Sequence, residues 1–162
     1  MTPPAPPFPN SKTKGLSVVM IGRDEEAIVG NALEATRGLV DEVIFVDTGS
    51  VDSTIHIVER FGAHLFTFEW CNDFSKAKNF GLEQANYSWI LNIDCDEILE
   101  REGFPEFLEI IKQDAFTPAY SVHIKNILDD GSSHPSQALR LFRNAPKIRF
   151  RNPVHESIGE AL

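Results

Sequence analysis

The sequence is poor in cysteine, in basic residues and in long apolar runs, and each shortage excludes a class of protein. Its two cysteines, Cys71 and Cys95, are too few for a disulfide framework or a zinc site, so both are expected to be reduced thiols. With 15 basic against 24 acidic residues and a formal net charge of -9, the chain lacks the basic face that nucleic acid binding needs. We therefore expect no nucleic acid partner.

Membrane insertion is also disfavoured by the pattern of apolar residues. No apolar run approaches the roughly 20 residues that a transmembrane helix requires. The first residues have neither the basic start nor the apolar stretch of a signal peptide. We therefore expect no transmembrane segment and a cytoplasmic protein.

The composition favours one compact domain that follows a proline-rich start. The 162 residues are 42% hydrophobic and 24% charged, which is ordinary for a domain able to bury a core. Residues 1–15 hold five of the ten prolines, and they contain too little apolar surface to offset the entropy of ordering. We expect residues 1–15 to be a flexible leader and residues 16–162 to form a single domain.

Apolar runs alternate with segments of helical spacing through the first half of the chain. The predicted strands are 16–21, 43–46, 64–68 and 89–93, and the predicted helices lie after residue 24, at 52–61 and at 75–85. Strands separated by about ten or more helical residues are typical of parallel βαβ units, in which helices cover both faces of the sheet. The first half is therefore predicted to be a doubly wound, Rossmann-like sheet.

The second half of the chain has a weaker rhythm. A helix is predicted at 104–112, and β-like stretches occur at 120–127 and 138–143. Polar turn residues at 129–133 lie between these stretches and predict an antiparallel hairpin. The expected fold class is α/β, a mostly parallel sheet flanked by helices with an antiparallel C-terminal portion.

The ends of the predicted parallel strands carry charged and hydroxyl groups. Ligands of open parallel sheets bind beyond the carboxyl ends of the strands. This rule selects three clusters, which are Arg23, Asp24 and Glu25, residues 47–52, and residues 94–97. Asp24 and Asp52 fit helix capping equally well. Asp47 directly follows an apolar strand, so its carboxylate is a candidate acceptor for a ring amide or a sugar hydroxyl.

The strongest local feature is the apolar strand 89–93, which runs directly into Asp94, Asp96 and Glu97. Three like charges this close are costly unless a cation or a ligand relieves the repulsion. Hard carboxylate oxygens suit Mg²⁺ or Mn²⁺ bound together with substrate phosphates. The segment therefore indicates a metal and diphosphate site, although such a short acidic motif, taken alone, is more often a surface loop.

Several blocks of the sequence, in their order along the chain, resemble those of family 2 glycosyltransferases with the GT-A fold. These blocks are LSVVMIGRDEEAIVGNALEA, VDEVIFVDTGSVDST and FEWCNDFSKAKNFGLEQANYSWILNIDCDEIL. The later LRLFRNAPKIRFRNPVHESI resembles the closing block of a bacterial subgroup. The resemblance covers residues 16–158. It implies inverting, metal-dependent transfer of a sugar from a nucleotide-sugar, expected to be a UDP-sugar, to a hydroxyl of a saccharide, lipid or protein acceptor.

The resemblance also implies roles for individual residues. Asp47 is expected to contact the uracil, Asp94 the ribose side, and Asp96 the divalent metal that bridges the diphosphate. Lys78 stands where the family usually has an arginine beside an asparagine, and lysine keeps the charge but loses the bidentate fork. The candidate donor-binding residues are Arg23, Glu25, Asp47, Lys78 and Asp94, and the candidate ligands of Mn²⁺ or Mg²⁺ are Asp96 and His155.

His155 and Glu156 fall where related enzymes place a further metal ligand and an acidic residue near the acceptor. Inverting transfer needs a general base for the acceptor proton, while the metal stabilises the charge on the departing diphosphate. Glu156 is the leading candidate for the base, and His155 is assigned to the metal or phosphate side. An ordinary surface role for either residue fits the sequence nearly as well.

Two other functions compete with transfer. Family members usually continue beyond the His-Glu block, so we expect part of the acceptor region to be missing, which leaves a non-catalytic nucleotide-binding module as the main alternative. Haloacid dehalogenase-like phosphatases also carry an Asp-x-Asp pair, but after their first strand and usually with Thr or Val two positions beyond the second Asp. Here the pair follows the fourth predicted strand and Ile98 occupies that position, which disfavours this reading.

Overall fold

The computed structural model describes residues 12–158, so most of the predicted leader, residues 1–11, lies outside the described residues. The strands are β1 (Thr13–Gly22), β2 (Glu42–Asp47), β3 (His64–Thr67), β4 (Tyr87–Asn92), β5 (Glu97–Leu99), β6 (Ala119–Ile127) and β7 (Ser133–Arg143). The helices are α1 (Val29–Thr36), α2 (Thr54–Phe61), α3 (Phe74–Gln84) and α4 (Phe104–Gln113). Within residues 12–158 no helix is long and apolar enough to cross a membrane.

The strands form one mixed sheet in the order β3-β2-β1-β4-β7-β6-β5. β1 is parallel to β2 and to β4, and β2 is parallel to β3. β7 is antiparallel to both β4 and β6, and β6 is antiparallel to β5. The α/β class, the parallel first half and the antiparallel C-terminal portion are confirmed, with β6 and β7 forming the predicted hairpin.

β1 lies inside the sheet, and both of its faces are covered. Val18 and Met20 pack into a cluster with residues of α1, α2 and α4, whereas Val19 and Ile21 pack into a second cluster with residues of α3 and of the segment 148–158. Alternate residues of a strand point to opposite faces, so a strand covered on both sides needs apolar residues at nearly every position. This explains the nearly continuous apolar run in the sequence.

Helix α3 packs closely against the sheet because it carries Gly81 at the contact. A Cβ atom at position 81 would lie 2.6 Å from a methyl carbon of Val19 and 3.1 Å from one of Val46. The helix begins after Asp73, whose side chain accepts a hydrogen bond from the backbone N–H of Lys76 at 3.1 Å and satisfies a free amide of the first turn. The position of this helix matters because it carries a buried cation into the site.

The structure differs from the prediction at the start of β1 and at the short strand β5. β1 begins at Thr13 rather than at Leu16 because Thr13 pairs with Tyr87 of β4. Lys12 adds a hydrogen bond of 2.7 Å from Nζ to the carbonyl of Ala85. Residues 13–15 therefore belong to the sheet and not to the predicted leader. The three-residue strand β5 was not predicted at all, because its pairing with β6 lies outside any local pattern.

Candidate active site

A cleft of about 980 Å³ opens at the carboxyl ends of β1, β2 and β4. Its walls also include the loop between β3 and α3, the turn between β6 and β7, and residues 154–156. The structure brings seven predicted site residues to this cleft, which are Arg23, Glu25, Lys78, Asp94, Asp96, His155 and Glu156. Asp47, the remaining predicted site residue, is not part of the cleft wall.

The floor of the cleft depends on close packing of the ends of β1 and β4. A Cβ atom at Gly22 would lie 2.8 Å from the ring of Phe45 and 2.9 Å from the sulfur of Cys95. The Cys95 thiol donates to the carbonyl of Ile21 at 3.4 Å, and burial followed by the nearby carboxylates raises its pKa. Cys95 and the exposed Cys71 are both free thiols, as predicted. Cys95 therefore serves to pack residues 94–97, the acidic loop, against β1.

Asp94, Asp96 and Glu97 follow β4, but they face different surroundings. Asp94 and Asp96 line the cleft, whereas Glu97 is 4% exposed and begins β5. One Glu97 oxygen accepts from the backbone N–H of Asp94 at 2.9 Å, and the other accepts from Arg140 at 2.5 Å. Burial raises the pKa of Glu97, and Arg140 opposes this effect. Of the three carboxylates that follow β4, the two predicted site residues therefore face the cleft, and Glu97 does not.

Lys78 brings two predicted site residues together at the cleft. Its side chain is 2% exposed, and its Nζ lies 3.0 Å from Asp94 Oδ1 and 2.7 Å from Glu156 Oε1. The same ammonium lies 5.2 Å from the centre of the Phe150 ring. Burying an ammonium group costs several kcal/mol unless it is paired, so the two carboxylates are what allow Lys78 to occupy this position. The basic residue of the third helix thus joins the end of β4 to the C-terminal segment.

Arg140 of β7 is a second cation at the acidic loop, and the sequence analysis did not single it out. Its Nη2 lies 2.5 Å from Glu97 Oε1 and 3.4 Å from Asp94 Oδ2. Burial lowers the pKa of the guanidinium, but the hydrogen bond and charge of Glu97 outweigh it, so the pKa is raised. The sequence could have pointed to Arg140 only as a charged residue inside a predicted strand. It does not reveal that Arg140 pairs with Glu97 and Asp94, because β7 reaches β4 only after the chain folds back.

Asp96, His155, Glu25 and Arg23 lie on the rim of the cleft. Within residues 12–158 the Asp96 carboxylate has no hydrogen-bond or ion-pair partner, and Arg23 makes an exposed ion pair of 3.7 Å with Asp24. Burial and then the charge of Asp96 raise the pKa of Glu25. In the described part of the chain no group of three or more His, Cys, Asp or Glu side chains is placed to hold a metal ion. A cation bound here would therefore take at most two of these side chains and would need substrate oxygens to complete its shell.

His155 and Glu156 belong to a closed loop at residues 151–157. Two backbone hydrogen bonds of 3.1 and 3.2 Å close its base. The start of α3 holds the loop in place, since the backbone N–H of Phe74 donates to the carbonyl of Pro153 at 3.0 Å. His155 has a φ of 54°, a conformation that residues other than glycine adopt infrequently. The loop directs both His155 and Glu156 to the cleft.

Asp47 is buried at the end of β2 and organises the turn that follows. It is 2% exposed, and its carboxylate accepts from the backbone N–H groups of Gly49 at 3.0 Å and Ser50 at 3.1 Å. The neighbouring Thr48, and not Asp47, lines the cleft. The contact of Asp47 with a uracil ring therefore stays a prediction.

Asp24 and Asp52 connect the loops that follow β1 and β2. The Asp24 carboxylate accepts from the backbone N–H of Val51 at 2.7 Å. The Asp52 carboxylate accepts from the backbone N–H groups of Glu26 at 3.1 Å and Thr54 at 2.9 Å. Asp52 thus binds the first amide of α2 from the position before the N-cap residue Ser53, whose own side chain makes no capping bond, whereas Asp24 links the two loops. These bonds fix the strand ends that form one side of the cleft.

The sheet order and the cleft at its carboxyl edge define an α/β protein of the GT-A type. The chain is similar in fold to the crystal structure of S. aureus TarS 1–349, with a TM-score of 0.60 and 19% identity over 84% of this chain and 50% of that one. TarS 1–349 in complex with UDP gives the same TM-score and coverage.

The chain belongs to glycosyl transferase family 2, whose sequence profile matches residues 17–159. It is 37% identical over 147 residues to a TPR repeat-containing protein of Synechococcus elongatus, and the matched segment covers 91% of this chain and 36% of that protein. It is 36% identical over 145 residues to an uncharacterized glycosyltransferase of Rickettsia typhi, and this match covers 90% of the chain and 45% of that protein. The chain thus spans less than half the length of these two relatives, and the resemblance predicted from its motifs is confirmed.

Proposed function

We propose that this chain binds a UDP-sugar for metal-dependent, inverting transfer of the sugar to an acceptor hydroxyl. One observation carries the proposal: Asp94 and Asp96 follow a buried strand at the carboxyl edge of the sheet and face one cleft together with Lys78. Membership of glycosyl transferase family 2 supports the reaction type. The fold that the chain shares with TarS, which has been solved in complex with UDP, supports uridine as the base.

The surroundings of Asp94 and Asp96 support different roles for the two carboxylates. Asp94 is paired with Lys78 at 3.0 Å and with Arg140 at 3.4 Å. Its charge is therefore already balanced, which suits a carboxylate that accepts hydrogen bonds from neutral sugar hydroxyls. Asp96 has no such partner within residues 12–158 and is exposed at the cleft, which suits a ligand of a cation.

In this proposal Asp96, with His155 as a second ligand, would hold Mn²⁺ or Mg²⁺. When bound with the diphosphate, such a cation stabilises the negative charge that develops on the leaving group. Arg23 and Glu25 lie on the same rim and complete the donor-binding set. Asp47 is included as the uracil contact. Because its side chain is buried, either the turn after β2 rearranges to expose the carboxylate, or the backbone that the carboxylate holds makes the contact.

Glu156 is proposed to take the proton from the acceptor hydroxyl. As the acceptor oxygen bonds to the anomeric carbon, the bond from that carbon to the diphosphate oxygen breaks, and the hydroxyl proton passes to the Glu156 carboxylate. The ion pair of 2.7 Å with Lys78 orients this carboxylate at the cleft. The acceptor is a saccharide, a lipid or a protein.

The proposal is tested by thermal unfolding and calorimetry with UDP, GDP and TDP, each with and without Mn²⁺. UDP with Mn²⁺ should stabilise the chain most, and at a concentration of about 100 Kd the gain is about 2.7 kcal/mol. Asp96→Ala should abolish the Mn²⁺-dependent part of UDP binding and leave the fold intact. Asp129→Ala is the matched control, because Asp129 is another exposed carboxylate of the cleft wall.

The outcomes separate the proposal from its alternatives. A folded Asp96→Ala variant with unchanged Mn²⁺-dependent affinity would refute the metal assignment. Absence of UDP binding by the wild type would refute the function as a whole. UDP binding without any turnover of a UDP-sugar would instead identify a non-catalytic nucleotide-binding module.

A further inference from the structure

The loop after β4 is held by an ion pair between the buried Glu97 and the half-buried Arg140, which is not part of the cleft wall. Glu97 and Arg140 have side chains that are 5% and 24% exposed, and their closest atoms lie 2.5 Å apart. Neither residue is among those that line the cleft. Their influence on a bound donor must therefore pass through the residues that they hold.

We propose that Glu97 and Arg140 are positioning residues that hold the loop carrying Asp94 and Asp96 and set the direction of the Asp94 carboxylate. The proposal rests on the proposed function, since it concerns how the same site is held ready for its donor. It extends that function because it assigns a role to Glu97, the third carboxylate of the loop, and to Arg140, which no motif predicted.

The contacts of Glu97 explain how the loop is held. Its side chain accepts from the backbone N–H of Asp94 at 2.9 Å, and its own N–H donates to the carbonyl of Asp94 at 3.0 Å. The carbonyl of Asp96 accepts from the backbone N–H of Ile127 in β6 at 2.7 Å. The loop is therefore tied at both of its cleft-facing aspartates, once to Glu97 and once to the neighbouring strand.

Arg140 fixes Glu97 to the interior of the sheet. Arg140 lies at a bulge of β7, between Leu139, which pairs with Ser121 of β6, and Leu141, which pairs with Leu91 of β4 and with Tyr120 of β6. Its Nη2 contacts both Glu97 and Asp94. A side chain anchored in this way has little freedom, and support of this kind typically changes metal affinity by about 10- to 100-fold when it is removed.

The charge balance gives the physical reason for the pair. Three carboxylates within four residues repel one another, and a buried carboxylate that loses its cation turns towards water. Such a turn of Glu97 would release the N–H of Asp94. Arg140 also keeps its Nε buried without a hydrogen-bond partner in the described part of the chain. This unmet donor indicates that the guanidinium is placed for the two carboxylates and not for its own saturation.

The test compares Arg140→Met with Arg143→Met. Arg143 is a buried arginine of the same strand, but its guanidinium lies over the Trp89 ring at 4.0 Å and near Asp114, away from the cleft. Native-state hydrogen exchange is measured at the amides of Asp94 and Ile127, relative to the amide of Val19 in β1. Calorimetry gives the factor by which Mn²⁺ increases the affinity for UDP, which we call the Mn²⁺ factor.

We expect Arg140→Met to speed relative exchange at Asp94 and to reduce the Mn²⁺ factor by about 10-fold or more. Arg143→Met should lower stability without changing either quantity. If Arg140→Met does not fold, Glu97→Gln replaces it, since this variant retains an oxygen for the Asp94 amide and loses the charge that meets Arg140. The Mn²⁺ factor should fall in this variant as well.

Three results would overturn the positioning role. The first is relative exchange at Asp94 that is unchanged in Arg140→Met, and the second is faster exchange with an intact Mn²⁺ factor. The third is an equal effect of Arg140→Met and Arg143→Met, which would show that both residues contribute only to general stability. If the wild type binds no UDP, the proposed function fails, and the exchange experiment still decides whether the pair holds the loop.

Discussion

Replacing Lys78 by methionine removes the cation that joins Asp94 to Glu156 and retains an apolar stem of similar length. In the wild type, Lys78 Nζ lies 3.0 Å from Asp94 Oδ1 and 2.7 Å from Glu156 Oε1. In the variant Asp94 keeps its contact with Arg140, whereas Glu156 has no other salt-bridge partner within residues 12–158. Two carboxylates then face the space that the ammonium occupied.

The expected loss follows from how far water can replace the ammonium. Removing one partner of a buried ion pair typically costs about 3–5 kcal/mol. The side chains of Asp94 and Glu156 are 35% and 18% exposed, so water recovers part of this loss, and we expect a cost of about 2–3 kcal/mol. Each kcal/mol lowers the Tm of a domain of this size by about 2–4 °C, which predicts a decrease of about 4–12 °C.

Urea and thermal unfolding test this estimate on the wild type, Lys78→Met, Lys76→Met and the double variant Lys78→Met with Glu156→Gln. Lys76→Met is the matched control, because Lys76 lies on the same helix, has a side chain that is 68% exposed and, among residues 12–158, makes only a surface ion pair of 3.7 Å with Asp73. It should change stability by less than about 0.5 kcal/mol. Lys78→Met combined with Glu156→Gln should be more stable than Lys78→Met alone, because one uncompensated charge is removed. A Lys78→Met variant within about 0.5 kcal/mol of the wild type would refute the reasoning.

Three further predictions concern the reaction, the base and acid stability. Glu156→Gln should lower UDP-sugar turnover by about 10²- to 10⁴-fold while UDP affinity is retained, and if His155→Ala shows this separation instead, His155 is the base. Asp47→Asn should weaken UDP more than GDP in calorimetry, because an acceptor-only carboxylate becomes an amide that also donates, whereas equal losses would leave Asp47 a turn residue. Burial acts to raise the pKa of Asp114, but hydrogen bonds from Thr117 and Tyr120 outweigh it and hold that pKa below its usual range. The stability that Asp114 contributes is therefore complete above its unfolded pKa of about 4 and is lost as the pH falls towards the folded value, so urea midpoints from about pH 5 to 2 should depend less on pH in Asp114→Asn.

Local patterns predicted the parallel part of the fold well. The four parallel strands and the helices between them were placed within a few residues, because buried strands and amphipathic helices leave their periodicity in the sequence. The carboxyl-edge rule then collected Arg23, Glu25, Asp94 and Asp96 at one cleft. Asp47 was selected by the same rule, but local chemistry took precedence there, since its carboxylate binds the amides of its own turn.

Local patterns in the chain were enough to place the carboxyl ends of the parallel strands and the charged residues that follow them, because both depend on near neighbours. They do not show which of these charges meet, because those contacts join distant segments. Lys78 and Glu156 are separated by 78 positions, and Glu97 and Arg140 by 43. These contacts exist because the C-terminal loop packs against the start of α3 and because β7 inserts between β4 and β6. A buried charge takes the partner that the fold brings within about 3 Å, and periodicity in the sequence carries no information about that distance.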